Sequence, residues 1–184
     1  EKIDIFKDKI LRTEFTYNGQ GILINKLDTR GVIVRSIVDD NIQKISLISN
    51  GIIDGTLSNF KENTVSIGKD LAILLNLVVG DKITLMSTGN LQTPFGSLPM
   101  QEKLIISSIF STGLAEFDQN VIFIPFVNAG SLFEITEEDI DLEIFLKEPE
   151  DVEFIKDQIQ AIFQKHYVYS WTDLNKSFFG ALKV

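Results

Sequence analysis

Between two runs with strand character, Asp81–Met86 (DKITLM) and Lys103–Phe110 (KLIISSIF), the chain reads MSTGNLQTPFGSLPMQEK from Met86 to Lys103. Two prolines and a glycine restrict what this stretch can be. Pro94 fixes its own φ and Gly96 can take a positive one, so Thr93-Pro94-Phe95-Gly96 fits a type II-like turn. Neither Pro94 nor Pro99 can donate to a sheet ladder, so neither arm is expected inside a sheet. Phe95 is then expected at or near the tip of a hairpin flanked by Leu91, Leu98 and Met100. Two readings stay open. The loop folds back so that Phe95 rests on its own domain, or it projects and Phe95 contacts another protein.

The rest of the chain alternates short strands with short helices. Glu1–Leu11 places Ile3, Phe6, Ile10 and Leu11 on one helical face. A strand-like run from Arg12 to Asn18 follows, then a turn or bulge at Asn18-Gly19, a strand Gly21–Asn25, a turn at Asp28–Gly31 and a strand Gly31–Val38. Asp39–Ser49 reads as a short helix, with a strand Lys44–Ile48 as the competing reading. Thr64–Gly68 is a short strand and Gly68–Leu77 a helix burying Leu71, Leu74 and Leu75. After the hairpin come a polar connection Gly113–Gln119, a strand Val121–Ile124 and a helix Phe126–Phe133. Asp141–Leu146, a helix within Glu148–His166 and a strand Tyr167–Ser170 would form a β-α-β unit. Thr172 is the expected N-cap of a last helix carrying Leu174, Phe178 and Leu182. This interleaving implies an α+β fold rather than a doubly wound parallel sheet.

A chain of 184 residues holds one domain or two small subdomains. Its net charge is −9, with Lys and Arg scattered. That gives no electrostatic footprint for nucleic acid or for an anionic membrane surface. Cysteine is absent, which removes disulfides and thiolate chemistry. Leu71–Val79 is too short to cross a bilayer. The chain opens at Glu1 without a signal peptide and closes at Val184 inside a helical pattern, so an excised domain of a larger membrane-held protein is expected.

Catalytic constellations are not convergent. His166, at a helix end beside Lys165, reads as solvated. Gly68-Lys69 lacks the upstream glycine of a phosphate loop. Glu134–Asp141 lacks the spacing of a calcium loop and reads as a solvated linker. Glu116 and Asp118 read as a polar turn rather than an acid–base pair. Tyr169 and Trp171 read as core rather than as a ligand platform. No catalytic residue, metal or cofactor is assigned.

The run Thr93-Pro94-Phe95-Gly96-Ser97-Leu98-Pro99-Met100-Gln101 resembles the hook hairpin of permease subunits of lipoprotein-releasing ABC transporters, the LolC/LolE family. In order along the chain, Ile67-Gly68-Lys69-Asp70-Leu71-Ala72 with Leu77-Val78-Val79-Gly80-Asp81 is similar to a segment preceding that hook. Phe110-Ser111-Thr112-Gly113 with Glu116 and Asp118 is similar to one following it. Ser170-Trp171-Thr172-Asp173-Leu174 looks like the run leading into the second membrane helix. The resemblance covers roughly Asp28 to the end.

It implies a MacB-like periplasmic domain. A discontinuous porter subdomain (1–48 and 139–184) would hold an inserted strand-rich Sabre subdomain (49–138) with the hook at 87–102. It further implies an inner-membrane protein whose periplasmic domain recruits the LolA-type carrier through Thr93, Pro94, Phe95, Gly96, Leu98, Pro99, Met100 and Gln101. A second permease subunit, a cytoplasmic ATPase subunit and a lipoprotein substrate would be its other partners. Glu102 departs from the pattern, which carries a basic residue there. The alternative is an efflux relative docking an adaptor protein.

Overall fold

Two long strands, β1 (Ile10–Asn25) and β2 (Asp28–Ile37), form an antiparallel hairpin with Asn25 opposite Asp28. The computed structural model describes residues 3–26, 28–93 and 96–174. Asn18-Gly19, expected as a turn or bulge, lies in regular register inside this ladder, opposite Arg35 and Val34. A Cβ on Gly19 would stand 2.7 Å from the Tyr17 ring, so the aromatic side chain occupies the space that glycine leaves. The chain reverses instead after Lys26, whose φ is 55°.

The remaining strands are β3 (Ile52–Gly55), β4 (Thr64–Gly68), β5 (Lys82–Thr93), β6 (Gly96–Phe110), β7 (Val121–Pro125) and β8 (Asp141–Leu146). The helices are α1 (Ser46–Ser49), α2 (Lys69–Leu74), α3 (Ala115–Asn120), α4 (Phe126–Phe133), α5 (Val152–Ile162) and α6 (Trp171–Leu174). The opening amphipathic helix is not formed. A 3-10 turn covers Ile3–Phe6, and Ile10 and Leu11 already belong to β1. Asp39–Lys44 is a 3-10 helix leading into α1, so the helical reading of that stretch holds over the strand.

The chain divides into two compact units after Thr13 and after Glu143. These junctions differ from those expected after 48 and 138. The reason is the β1–β2 hairpin, which is paired with β5 and β7 and so belongs with the middle of the chain.

In the unit Glu14–Glu143 the pairings return to their start. β1 pairs β2, β2 pairs β7, β7 pairs β4, β4 pairs β6, β6 pairs β5, and β5 pairs β1. Alternate residues of these strands fill one core: Leu23, Val32, Val34, Val65, Ile67, Ile83, Leu85, Leu104, Ile106, Ile122 and Ile124. Leu71, Ala72 and Leu75 from the α2 segment and Ala129 and Leu132 from α4 complete it, whereas Leu74 is exposed. The opposite face of β2, β6 and β7 carries Ile37, Phe110, Val121 and Phe123. Ile42, Ile48, Leu57 and Phe60 cover it. β4 and β7 are buried on both faces; in β7 this matches a nearly unbroken apolar sequence, whereas in β4 the buried polar residues Thr64 and Ser66 are hydrogen-bonded, Ser66 to the Ser108 hydroxyl at 2.8 Å.

The second unit holds the described residues 3–13 and 144–174. Phe6, Ile155 and Ile159 form its centre, with Ile144, Leu146, Phe163 and Val168 packed around them. Lys9 pairs with Asp151 at 2.6 Å, and the Arg12 guanidinium lies 3.9 Å from the centre of the Phe145 ring. The expected strand Tyr167–Ser170 is not a strand. That stretch runs along α5, where Gln160 holds it. Its Oε1 accepts from the Val168 amide at 3.1 Å, and its Nε2 donates to the His166 carbonyl at 2.8 Å.

The N-cap of the last helix is Ser170, not Thr172. Ser170 Oγ accepts from the Asp173 amide, and Asp173 accepts from the Ser170 amide, a reciprocal capping box. Thr172 Oγ1 donates to Glu153 instead. The expected helical residues Phe178 and Leu182 lie outside the described residues.

Candidate functional site

β5 runs out of the closed set of strands and β6 runs back into it, so both extend past it. β1 is paired with β5 from Thr84 to Ser87, and β4 with β6 from Ile105 onward. Beyond an irregularity between Met86 and Asn90, the two strands pair with each other: Asn90 with Pro99, Leu91 with Leu98, Gln92 with Ser97 and Thr93 with Gly96. Among the described residues no third strand joins this part. The arms are therefore strand-paired, contrary to the expectation drawn from the prolines. Pro99 is tolerated because a two-stranded ribbon leaves one edge of each strand without a ladder partner. Pro94 and Phe95, expected at the turn, lie outside the described residues.

The expected contact residues divide along this ribbon. Thr93, Gly96, Leu98 and Pro99 belong to its two-stranded part, and Pro99 is exposed. Met100 is half-buried and packs against the strand core, so it belongs to the root. Gln101, opposite Met86, is exposed.

Glu102 has a local task. Its carboxylate accepts from Asn128 Nδ2 at 2.7 Å and from the Ser131 hydroxyl. Asn128 is buried, and its Oδ1 accepts from the Asn63 amide at 3.0 Å. These bonds tie the root of the ribbon to α4 and to the turn before β4. Sequence reasoning noticed Glu102 only as a departure from a pattern. Its partner Asn128 lies 26 residues away, and nothing local signals it.

The flanking motifs prove structural. Gly68 ends β4 against α3, where an added Cβ would stand 2.1 Å from the Asp118 carbonyl oxygen. Asp118, whose surface is 3% exposed, holds the loop before α3. Its carboxylate accepts from the Thr112 amide at 2.9 Å, the Thr112 hydroxyl at 2.6 Å and the Ser111 hydroxyl at 3.0 Å. Burial pushes its acidity toward the neutral form. The bonds from Thr112, Ser111 and the Gly113 amide outweigh burial and hold the carboxyl below its ordinary value. Gly113 has φ +80°, the conformation that lets the loop wrap the carboxylate. The expected polar connection is thus a clasped loop and a short helix, and Glu116 points to solvent rather than to Asp118.

Elsewhere, His166 is exposed, and its ring meets Phe163 edge-on at 6.2 Å. In the acidic stretch, Thr136 and Asp139 form a capping box. The amide and hydroxyl of Thr136 hold the Asp139 carboxyl below its ordinary value. Among the described residues no group of three or more metal-capable side chains converges. An open groove of about 790 Å³ lies between the β1–β2 hairpin and α3, lined by Gly21, Ile33, Thr88, Leu114 and Phe117 among others. Among the described residues no helix is long and apolar enough to cross a membrane.

No protein-family model matches the chain. The lipoprotein-releasing system transmembrane protein LolC of Neisseria meningitidis serogroup B is 24% identical over 171 residues. That alignment covers 91% of this chain and 41% of that protein. LolC of Haemophilus influenzae is 32% identical over 120 residues, covering 64% of this chain and 29% of that protein. The chain thus spans well under half the length of these curated relatives. Among solved structures, the extracellular domain of the noncanonic ABC-type transporter YknZ from Gram-positive bacteria aligns with a TM-score of 0.57 at 12% identity, covering 91% of this chain and 83% of that one. The periplasmic region of MacB from Actinobacillus actinomycetemcomitans aligns with a TM-score of 0.57 at 10% identity, covering 95% and 79%. The chain is therefore related by sequence to the LolC proteins of lipoprotein-releasing systems, and its fold is that of MacB-like periplasmic permease domains.

Proposed function

We propose that this chain is the periplasmic domain of a permease subunit in a lipoprotein-releasing ABC transporter, and that its β5–β6 arm recruits a soluble lipoprotein carrier of the LolA type. The observation that carries this reading is the two-stranded arm. Among the described residues its strands pair only with each other from Asn90 to Thr93 and from Gly96 to Pro99, and it bears the Thr-Pro-Phe-Gly-Ser-Leu-Pro-Met-Gln sequence. Phe95 and Leu98 offer the carrier an apolar anchor. Pro94 and Pro99 restrict the free arm and so reduce the ordering cost of binding. Met100 and Glu102 hold the root in place through the core and α4. ATP hydrolysis belongs to a separate cytoplasmic subunit. A second permease subunit completes the transporter, and the lipoprotein passes from the inner membrane to the carrier.

The test is calorimetric titration of the domain with the same organism's periplasmic lipoprotein carrier. Micromolar or tighter binding is expected, with Phe95→Glu abolishing it and leaving the melting temperature unchanged. A matching loss of stability would instead make Phe95 a core residue. The second reading, an efflux permease docking an adaptor protein, draws on the likeness to MacB. A folded domain that ignores the carrier and binds an adaptor would favour it.

A further inference from the structure

Ladder geometry divides the two outer edges of the β5–β6 arm. Pro94 and Phe95 alone connect Thr93 to Gly96, and a two-residue connection makes the closing pair a hydrogen-bonded one. Pair types then alternate down the ribbon. Leu91 with Leu98 is again a hydrogen-bonded pair. Gln92 with Ser97 and Asn90 with Pro99 are pairs of the other type, whose backbone N–H and C=O groups point away from the partner strand.

This register gives Pro99 its place. Its ring nitrogen lies on the outer edge of β6, so the inner ladder loses nothing and the outer edge loses a donor. On β5 the corresponding outward groups of Asn90 and Gln92 are complete. Among the described residues no strand pairs with either outer edge along this part of the arm. The β5 edge is the one that β1 occupies from Thr84 to Ser87. β1 leaves it at Gln20, whose carbonyl accepts from the Thr88 hydroxyl at 3.1 Å, and the open groove beside α3 reaches both residues. One edge of the arm is thus blunted by proline, and the other is left able to pair.

We propose that the β5 edge of the arm, at Asn90 and Gln92, takes up an extended strand of the recruited partner protein and adds it to the sheet. The chemistry of the edge names the occupant. Only another extended backbone repeats a donor and an acceptor every second residue, about 6.8 Å apart, so the edge is a site for polypeptide and not for lipid or a small solute. The proposal rests on carrier recruitment by the arm and deepens it, because it fixes the side from which the carrier approaches and the groups it meets.

Two prolines test it. Gln92→Pro removes the outward N–H on β5, and Ser97→Pro removes the outward N–H on β6 in the same pair, so both spare the inner ladder. The 184-residue chain is titrated calorimetrically with the same organism's periplasmic lipoprotein carrier. Gln92→Pro should weaken binding roughly tenfold or more, and Ser97→Pro should leave it within about twofold. Hydrogen exchange on the unsubstituted chain reads the same contact without a variant. The Asn90 and Gln92 amides should gain protection when the carrier is added, and the Ser97 amide should not. Unchanged affinity of Gln92→Pro, an equal loss in both variants, or no gain of protection at Asn90 and Gln92 overturns the edge pairing and leaves carrier recruitment standing. A wild-type chain that does not bind the carrier overturns both. Protection of the two amides in a concentrated carrier-free chain would assign the edge to a second copy and overturn the proposal as well.

Discussion

The junction of Gly68 with Asp118 and the outer part of the β5–β6 arm are both marked by glycine and polar residues, yet they stand in opposite environments. At the junction, backbone meets backbone without room for a methyl group, and a buried carboxylate collects its hydrogen bonds from one loop. In the arm, two strands satisfy each other and are paired to nothing else among the described residues. The same residue types thus report different physics. A glycine facing a carbonyl is a packing requirement, whereas Gly96 and Pro99 stand in a ribbon whose strands pair with each other and with no other strand among the described residues. Substitutions should accordingly cost stability at the junction and spare it in the arm.

The sharpest way to break this contrast is Gly68→Leu. Its Cβ would stand 2.1 Å from the Asp118 oxygen, and neither backbone segment can give way cheaply. A loss of about 3 kcal/mol or more is expected in urea denaturation. A loss within about 0.5 kcal/mol would show that the junction is looser than drawn. Asp118→Asn comes next. It removes a charged acceptor from the Thr112 and Ser111 donors and should cost about 2 kcal/mol at neutral pH.

Its pH dependence has a definite sign. The folded carboxyl sits below the ordinary aspartate value of 3.8, so the unfolded chain takes up the proton first as pH falls. The stabilisation is complete above that ordinary value and is lost as pH drops through the folded one. The gap between wild type and Asp118→Asn should therefore be full at pH 7 and shrink toward pH 3. A gap that is the same at both would remove the charge from the account.

Glu102→Gln tests the root of the arm, where it is tied to α4. It keeps one acceptor for Asn128 and Ser131 and should cost about 1 kcal/mol. Unchanged stability with altered salt dependence of carrier binding would turn Glu102 from an anchor into a contact residue. The smallest effect belongs to Pro99→Ala. Exposed and on a ribbon edge, it should change stability by less than about 0.5 kcal/mol. A larger loss, read from the same denaturation curves, would place the arm within the cooperative unit.

Local pattern was legible along most of the chain. The alternating apolar residues of Asp81–Met86 and Lys103–Phe110 correspond to β5 and β6, and Val121–Ile124 to β7. The amphipathic stripe of Glu148–His166 corresponds to α5, with Ile155 and Ile159 buried. Each of these signals lives within one element, where period and side-chain type suffice. The misreadings share a cause. Asn18-Gly19 has turn chemistry, but a ladder with β2 on one side and the Tyr17 ring over the glycine override it. Tyr167–Ser170 has strand composition, but its backbone is claimed by Gln160 rather than by another strand.

The sequence alone determined an α+β chain with strands flanking a proline-bearing hairpin, without cysteine and with a net charge of −9. Those are properties of composition and of near neighbours. Only the tertiary structure decided that β1 meets β5 so that six strands close on themselves, that Glu102 answers Asn128, and that Asp118 clasps Thr112 beside Gly68. Most of these contacts join residues tens of positions apart. Whether they form depends on which apolar faces can be buried together, and that balance is struck over the whole chain at once.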